Sequence, residues 1–337
     1  MKAVGFYRSL PIDQPDALVD VELAKPTPSG RDLLVKVEAV SVNPVDTKVR
    51  MRGNPDPDKP KVMGYDAAGT VAAAGPGCSL FKPGDQVWYA GSIARPGTNA
   101  ELHLVDERIV GRMPKRLSFT EAAALPLTTI TAWEMLFDRF AIRIGKPADA
   151  GSLLVIGGAG GVGSIAIQLA RRLTGLTVIA TASRPETQAW CRELGAHHVI
   201  DHSKKLTEGL AGIGVKAVDY VFSITQTEKH FDQIVELIAP QGKLGLIDDP
   251  KSMDALPFKR KCVSIHWESM FTRALFETPD MIAQHRLLSE VAGLVDDGMI
   301  RTTLAETMGK IDAATLTRAH ALIESGRARG KVVLSGF

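Results

Sequence analysis

One stretch constrains this chain more than any other: a buried-strand signature that runs into a glycine turn and then a helix. Ser152-Leu153-Leu154-Val155-Ile156 is an unbroken apolar run of strand length. Ser164-Ile165-Ala166-Ile167-Gln168-Leu169-Ala170-Arg171-Arg172 reads as a helix with Ile165, Ala166, Leu169 and Ala170 on one face. Between them, Gly158-x-Gly160-x-x-Gly163 fits the fingerprint of a dinucleotide turn. Glycine permits the sharp reversal, lets backbone N–H groups approach a pyrophosphate, and lets the helix pack close to the strand. Gly158, Gly160, Gly161, Val162 and Gly163 are therefore the expected phosphate-binding residues.

A chain of 337 residues exceeds one ordinary domain, so two are expected. Hydrophobic residues at 45% and charged residues at 23% describe a soluble globular protein. A net charge of +2 gives no reason to invoke nucleic acid or an acidic membrane surface. Cys78, Cys191 and Cys262 are scattered, which argues against a disulfide scaffold and for a reducing compartment. The opening Met1-Lys2-Ala3-Val4-Gly5-Phe6 is strand-like and lacks a signal-peptide core, and no run has the length of a membrane span. A cytoplasmic protein is expected.

Residues 1 to about 120 read as short strands punctuated by Pro and Gly, notably Leu33–Val42, Gly69–Gly75 and Asp85–Ala90, and suggest a β-barrel-like domain. Arg52 to Lys59, rich in Pro and Asp, reads as an exposed loop. Ser118, with Glu121 three residues later, has capping-box spacing, and Leu127 to Phe140 reads as a helix. After the glycine turn, strand and helix alternate. Leu176–Ala182, His198–Asp201, Ala217–Ser223, Lys243–Ile247 and Lys261–Trp267 are the strands, and Glu186–Leu194 is a helix ending at Gly195. Such alternation predicts a parallel, doubly wound sheet. Helices then follow from Pro279 onward and over Ala313–Glu324, and Lys331–Leu334 closes the chain as a strand with no sequence neighbour to pair with. Its expected place is the sheet of the first domain.

Several motifs together resemble a known family. Ser41-Val42-Asn43-Pro44-Val45-Asp46, Gly64-Tyr65-Asp66-Ala67-Ala68-Gly69, Phe81-Lys82-Pro83-Gly84-Asp85-Gln86-Val87, Leu125-Pro126-Leu127-Thr128-Thr129-Ile130-Thr131-Ala132, the glycine turn and Gly330-Lys331-Val332-Val333-Leu334 span nearly the whole chain. It resembles the medium-chain dehydrogenase/reductase superfamily in its quinone oxidoreductase (zeta-crystallin-like) branch, and more closely the zinc-type alcohol dehydrogenase-like group. The resemblance implies an α/β fold: a GroES-like β-barrel-type catalytic domain over 1–125, a Rossmann domain with a doubly wound parallel sheet over 126–270, and a segment over 271–337 returning to the catalytic domain. It also implies that Asn43, Asp46 and Tyr65 lie in the catalytic site. Thr128, Thr131, Ile247 and Lys331 would touch the cofactor.

The group's name raises the question of zinc. A catalytic zinc takes three ligands of Cys, His or Asp/Glu type and keeps one open position. Zinc-dependent relatives carry a cysteine at the position corresponding to Asn43, a histidine at that of Tyr65 and a third ligand near Thr128. An amide, a phenol and a hydroxyl stand there instead. The four-cysteine structural lobe is also missing between Trp88 and Asn99. Of the eight histidines, His197, His198 and His202 read as loop and strand-entry residues, and His266, His285 and His320 as isolated side chains. No metal is expected.

An NAD-selective Rossmann unit places Asp or Glu about 20 residues past the glycines. Ala182-Ser183-Arg184-Pro185 stands there, with no carboxylate. Arg184, beside Ser183, can pair with a 2′-phosphate through forked, charged hydrogen bonds, so NADPH is expected. Pro185 puts Glu186 in the first turn of a helix, facing its dipole. Without a metal, hydride transfer fits an activated acceptor, a small quinone or an α,β-unsaturated carbonyl, with Asn43 and Tyr65 donating to the developing charge. Asp46 acts there too or only orients its neighbours. A zinc-type alcohol dehydrogenase, or an NADPH-binding sensor or structural protein with little catalysis, are the alternatives. Cys262-Val263-Ser264-Ile265-His266-Trp267 is the candidate edge for a homodimer, since an unpaired edge templates pairing.

Overall fold

The computed structural model describes every residue except Asn54 and Ala148. The chain forms two compact units, Met1–Ile130 with Phe271–Phe337, and Thr131–Met270.

In the first unit, the long strand Asp32–Val42 is the spine. Its burial, with Leu33, Leu34, Val35, Val37 and Val40 all inside, follows from sheet contacts on both faces. It pairs antiparallel with Ala67–Ala74, with Leu102–Asp106 and with the last strand, Lys331–Ser335. The final pairing places Val332 opposite Val42 and Val333 opposite Ser41. Residues at the two ends of the sequence are thereby set side by side. A three-stranded sheet of Lys2–Phe6, Val19–Glu22 and Lys61–Val62 completes the β structure with the flanking strands.

One helix was not anticipated. Pro44–Arg52 is helical, with Pro44 at its first turn, where the missing N–H is not needed. The Arg52 end of the predicted loop is therefore helical, and Asn54 within that loop lies outside the described residues. Arg50 on this helix is fully buried, donating to the Leu10 carbonyl and to Glu324. The Ser118 capping box forms as predicted: Glu121 N–H donates to Ser118 Oγ, and Ser118 N–H to Glu121 Oε2 at 2.9 Å.

The second unit is a six-stranded parallel sheet in the order 198–200, 177–181, 152–156, 218–223, 238–246, 264–267. Leu153, Leu154, Val155 and Ile156 are fully buried, as an unbroken apolar strand between helices must be. The predicted helix over 127–140 divides in two. Pro126–Trp133 is α-helical, whereas Glu134–Arg139 winds as a π-helix, a form rare enough to mark a local constraint. The last predicted strand is shorter than expected, Ser264–Trp267, because Leu256–Lys261 forms a 3₁₀ helix. Among the described residues, no helix is long and apolar enough to cross a membrane.

Candidate active site

In the second unit the glycine turn sits at the C-terminal end of the Ser152–Ile156 strand, where open α/β sheets bind ligands. Gly157 has φ of +88°, a backbone that a side chain resists. At Gly163 a Cβ would press into the Gly157 carbonyl oxygen, so the helix Gly161–Leu173 can sit this close only with glycine there. At Gly160 a Cβ would meet nothing nearer than 3.6 Å, and Gly160, Gly161 and Val162 are half-buried. The turn is thus tight where it packs on itself and open over the first helical N–H groups. This fits a bound pyrophosphate. Gly163→Val is expected to abolish dinucleotide binding, measured by calorimetry, because the turn must open to admit it.

Gly157 N–H donates to Thr181 Oγ1 at the end of the neighbouring strand, at 3.1 Å. Ser183 and Arg184 follow directly and are half-buried. Glu186, expected to face only the helix dipole, instead pairs with Arg184 Nε at 3.0 Å. Both partners are more than a third exposed, so the pair holds the guanidinium only weakly against a stronger anion. Ile247 is half-buried just past the end of the Ile238–Leu246 strand, and Thr131 is buried in the helix Pro126–Trp133.

The first unit holds a second group of polar residues, all inside. Asp66, fully buried, accepts from Ser41 Oγ at 2.8 Å, from Asn43 Nδ2 at 2.8 Å and from Leu127 N–H at 2.7 Å. Lys331, 3% exposed, puts its ammonium on the same carboxylate at 3.1 Å, on the Val42 carbonyl at 3.0 Å and on Asn43 Oδ1. The strand pairing explains the contact: with Val332 opposite Val42, Lys331 comes beside Asn43. These contacts bear on two of the expected site residues. Asn43 was expected to offer its amide to a substrate, but both ends of that amide are taken by Asp66, the Ser41 carbonyl and Lys331. Lys331 was expected on a cofactor, and in this structure its ammonium holds the Val42 carbonyl, Asn43 and Asp66. Thr128 likewise gives its hydroxyl proton to the Leu125 carbonyl at 3.0 Å, which is a capping contact.

Asp46 and Tyr65 differ from these. Asp46 is the third residue of the helix Pro44–Arg52, and its Oδ2 accepts from Asn43 N–H at 2.6 Å. Its other oxygen, Oδ1, is buried with no hydrogen-bond partner among the described residues, although the Gly64 N–H also pulls on the carboxylate. Tyr65 is 1% exposed, packs edge-on to Phe271 with ring centroids 5.3 Å apart, and its hydroxyl also lacks a partner. Orphaned buried polar atoms are costly, and these two lie close enough for the Asp46 charge to act on Tyr65, so one bound group would satisfy both. Burial pushes the Asp46 carboxyl up to about 7, against the pull of Asn43 N–H and the Lys331 charge. Burial, and then the Asp46 charge, push the Tyr65 phenol above its ordinary value. The motif around Asp66 gives that residue no role by itself. An acid opening a strand of small residues was the available signal that it needed a partner.

The donor set does not fit zinc. Asn43 and Tyr65 stand in for cysteine and histidine, and the one strong carboxylate, Asp66, is already paired with an ammonium. Among the described residues no three His, Cys, Asp or Glu side chains converge as a metal site.

Comparison with known proteins places this geometry. Residues 29–115 match the alcohol dehydrogenase GroES-like domain, and residues 194–334 match the zinc-binding dehydrogenase family. A zinc-type alcohol dehydrogenase-like protein of Staphylococcus aureus is 41% identical over 99% of this chain and 100% of its own length. The chain belongs to the medium-chain dehydrogenase/reductase superfamily. It is accordingly an oxidoreductase of a superfamily that uses nicotinamide dinucleotides. A Rhizobium etli crystal structure, described provisionally as that of a zinc-dependent alcohol dehydrogenase protein, is similar at 61% identity and a TM-score of 0.96, covering 100% of this chain and 98% of that one. A 2-methylene-furan-3-one reductase of Solanum lycopersicum is 30% identical over 94% of this chain and 74% of its own.

Proposed function

We propose that the chain is an NADPH-dependent, zinc-independent reductase of quinones and α,β-unsaturated carbonyls. The observation that carries this reading is the pair of unsatisfied buried groups, Tyr65 Oη and Asp46 Oδ1, next to a network whose acid is already neutralised by Lys331. When bound, NADPH supplies the hydride. Reduction of a quinone or enone puts negative charge on the substrate oxygen, and donors aimed at that oxygen lower the barrier. Tyr65 stays protonated at any physiological pH because burial opposes the phenolate, so it donates a hydrogen bond throughout. Asp46, titrating near 7, is protonated in part at neutral pH and delivers the proton that completes the reduction. Asn43 is a positioning residue: its N–H fixes the Asp46 carboxyl, and its amide ties that helix start to Asp66 and Lys331.

A relative that reduces a conjugated ketone by name supports the enone arm of the reading. An alcohol substrate fits less well, since its alkoxide calls for a Lewis acid that this donor set does not hold. Screening quinones, enones and simple alcohols separates the two: turnover of NADPH with the first two classes is expected, and alcohol-dependent reduction of NADP would overturn the reading.

Ser183 and Arg184, without a carboxylate beside them on the strand end, support NADPH over NADH. Arg184→Ala is expected to raise KM for NADPH about 10-fold or more, the scale of one charge-assisted contact, and to leave KM for NADH unchanged. Thr131 and Ile247 are the further proposed cofactor contacts. The edge strand Ser264–Trp267, with Trp267 54% exposed, supports a homodimer, and light scattering at micromolar concentration should give twice the 36.2 kDa chain mass. Three free cysteines support a cytoplasmic location.

A further inference from the structure

Two acids outside the site described above are buried side by side in the second unit. Glu134 opens the π-helix Glu134–Arg139 and is fully buried. Glu268 follows the strand Ser264–Trp267, is 5% exposed, and donates its backbone N–H to the Leu246 carbonyl at 3.0 Å. Arg139, at the far end of the π-helix, puts Nε on Glu268 Oε2 at 2.8 Å and stands 3.9 Å from Glu134 Oε2. The π-helix can seat here because the strand Ile238–Leu246 has a glycine beneath it: a Cβ at Gly245 would run into Met135 and Phe140. His266, on the same strand face as Glu268, and Lys243, which donates to the Phe140 carbonyl, face the same place, and Tyr220 packs on the Phe140 ring. Asp138 of the π-helix is exposed.

The two acids outnumber the one guanidinium, and their carboxyls hydrogen-bond each other. Ionised carboxylates only accept, so that bond needs a proton. Burial first, and then the charge and hydrogen bond of Glu134, push the Glu268 carboxyl well above its ordinary range, against the pull of Arg139. We infer that Glu134 and Glu268 share one proton and that this acid pair is a latch positioning the nicotinamide end of the cofactor. This rests on the reading of Thr131 and Ile247 as cofactor contacts. Glu134 lies one helical turn past Thr131, and Ile247 directly follows the Leu246 that Glu268 holds. The proton between the acids therefore ties the helix of one contact to the strand end of the other. Its loss sets two buried negative charges against each other across that joint.

Unfolding tests the shared proton without cofactor. At neutral pH the pair holds one proton in the folded chain and none in the unfolded chain, so its contribution to stability is lost as pH rises. Relative to Glu268→Gln, the wild-type unfolding constant should grow about 10-fold per pH unit from pH 6 to pH 8. Glu134→Gln should remove the same slope, because Glu268 then ionises against Arg139. A slope kept in Glu134→Gln would mean a lone buried acid and overturn the sharing. Calorimetry tests the latch. From pH 7 to pH 10 the wild-type affinity for NADPH should fall about 10-fold more than that for 2′,5′-ADP, which lacks the nicotinamide end; this is the scale of one hydrogen bond to a charged group. Glu268→Gln keeps a neutral donor and acceptor and should hold the ratio of the two affinities constant. A ratio that changes equally with pH in both proteins, or in neither, would overturn the latch. Ile247→Ala should weaken NADPH and spare 2′,5′-ADP; equal weakening of both would overturn the cofactor contact itself. A wild-type chain that binds NADH more tightly than NADPH would overturn the NADPH reading, and NADH against 5′-AMP then gives the same ratio.

Discussion

Tyr65→Phe is expected to lower kcat for quinone and enone reduction by about 100-fold, the cost of removing one donor to a developing oxyanion. The same change should leave the melting temperature equal or slightly higher. The Tyr65 hydroxyl has no partner among the described residues, so its removal relieves a buried unsatisfied group while the ring keeps its edge-on contact with Phe271. Loss of activity with loss of stability would instead mean that the hydroxyl serves the fold. Asp46 adds a pH signature to the same experiment. Only its protonated form donates, so kcat/KM should fall as pH rises through about 7. Asp46→Asn keeps a neutral hydrogen-bonding group but has no proton to give. Its rate should be lower at pH 6 and nearly flat up to pH 8.

Lys331→Met is expected to cost about 3–5 kcal/mol of unfolding free energy, the range for removing one partner of a buried ion pair. The carboxylate of Asp66 would keep its three neutral donors but lose its only counter-charge among the described residues. The double variant Asp66→Asn, Lys331→Met should recover most of that loss, since no unpaired charge is then left inside. Urea unfolding of the four proteins gives the coupling. If the two single variants simply add, Lys331 and Asp66 are not acting on each other, and the closed network is not what holds Asn43.

Much of this was legible in the sequence, and the rest failed for a physical reason. The apolar run 152–156, the glycines after it and the alternation that follows are local patterns, and local patterns specify the parallel sheet. The replacement of Cys and His by Asn43 and Tyr65 was equally plain. What could not be read was who partners whom. Lys331 and Asn43 are 288 positions apart, and only the strand register that sets Val332 against Val42 brings them together. Without that register the amide of Asn43 looks available and the ammonium of Lys331 looks free. The π-helical turn after Trp133 is of the same kind. Its residues, Glu134–Arg139, are ordinary helix formers, so propensity alone does not mark the winding.

The most direct test of the account is to assay NADPH oxidation with a small quinone after exhaustive dialysis of the purified chain against a strong chelator, with zinc measured on the same sample. Full activity at a zinc content far below one per chain is the predicted result. Activity that disappears with the metal and returns on adding zinc would contradict it.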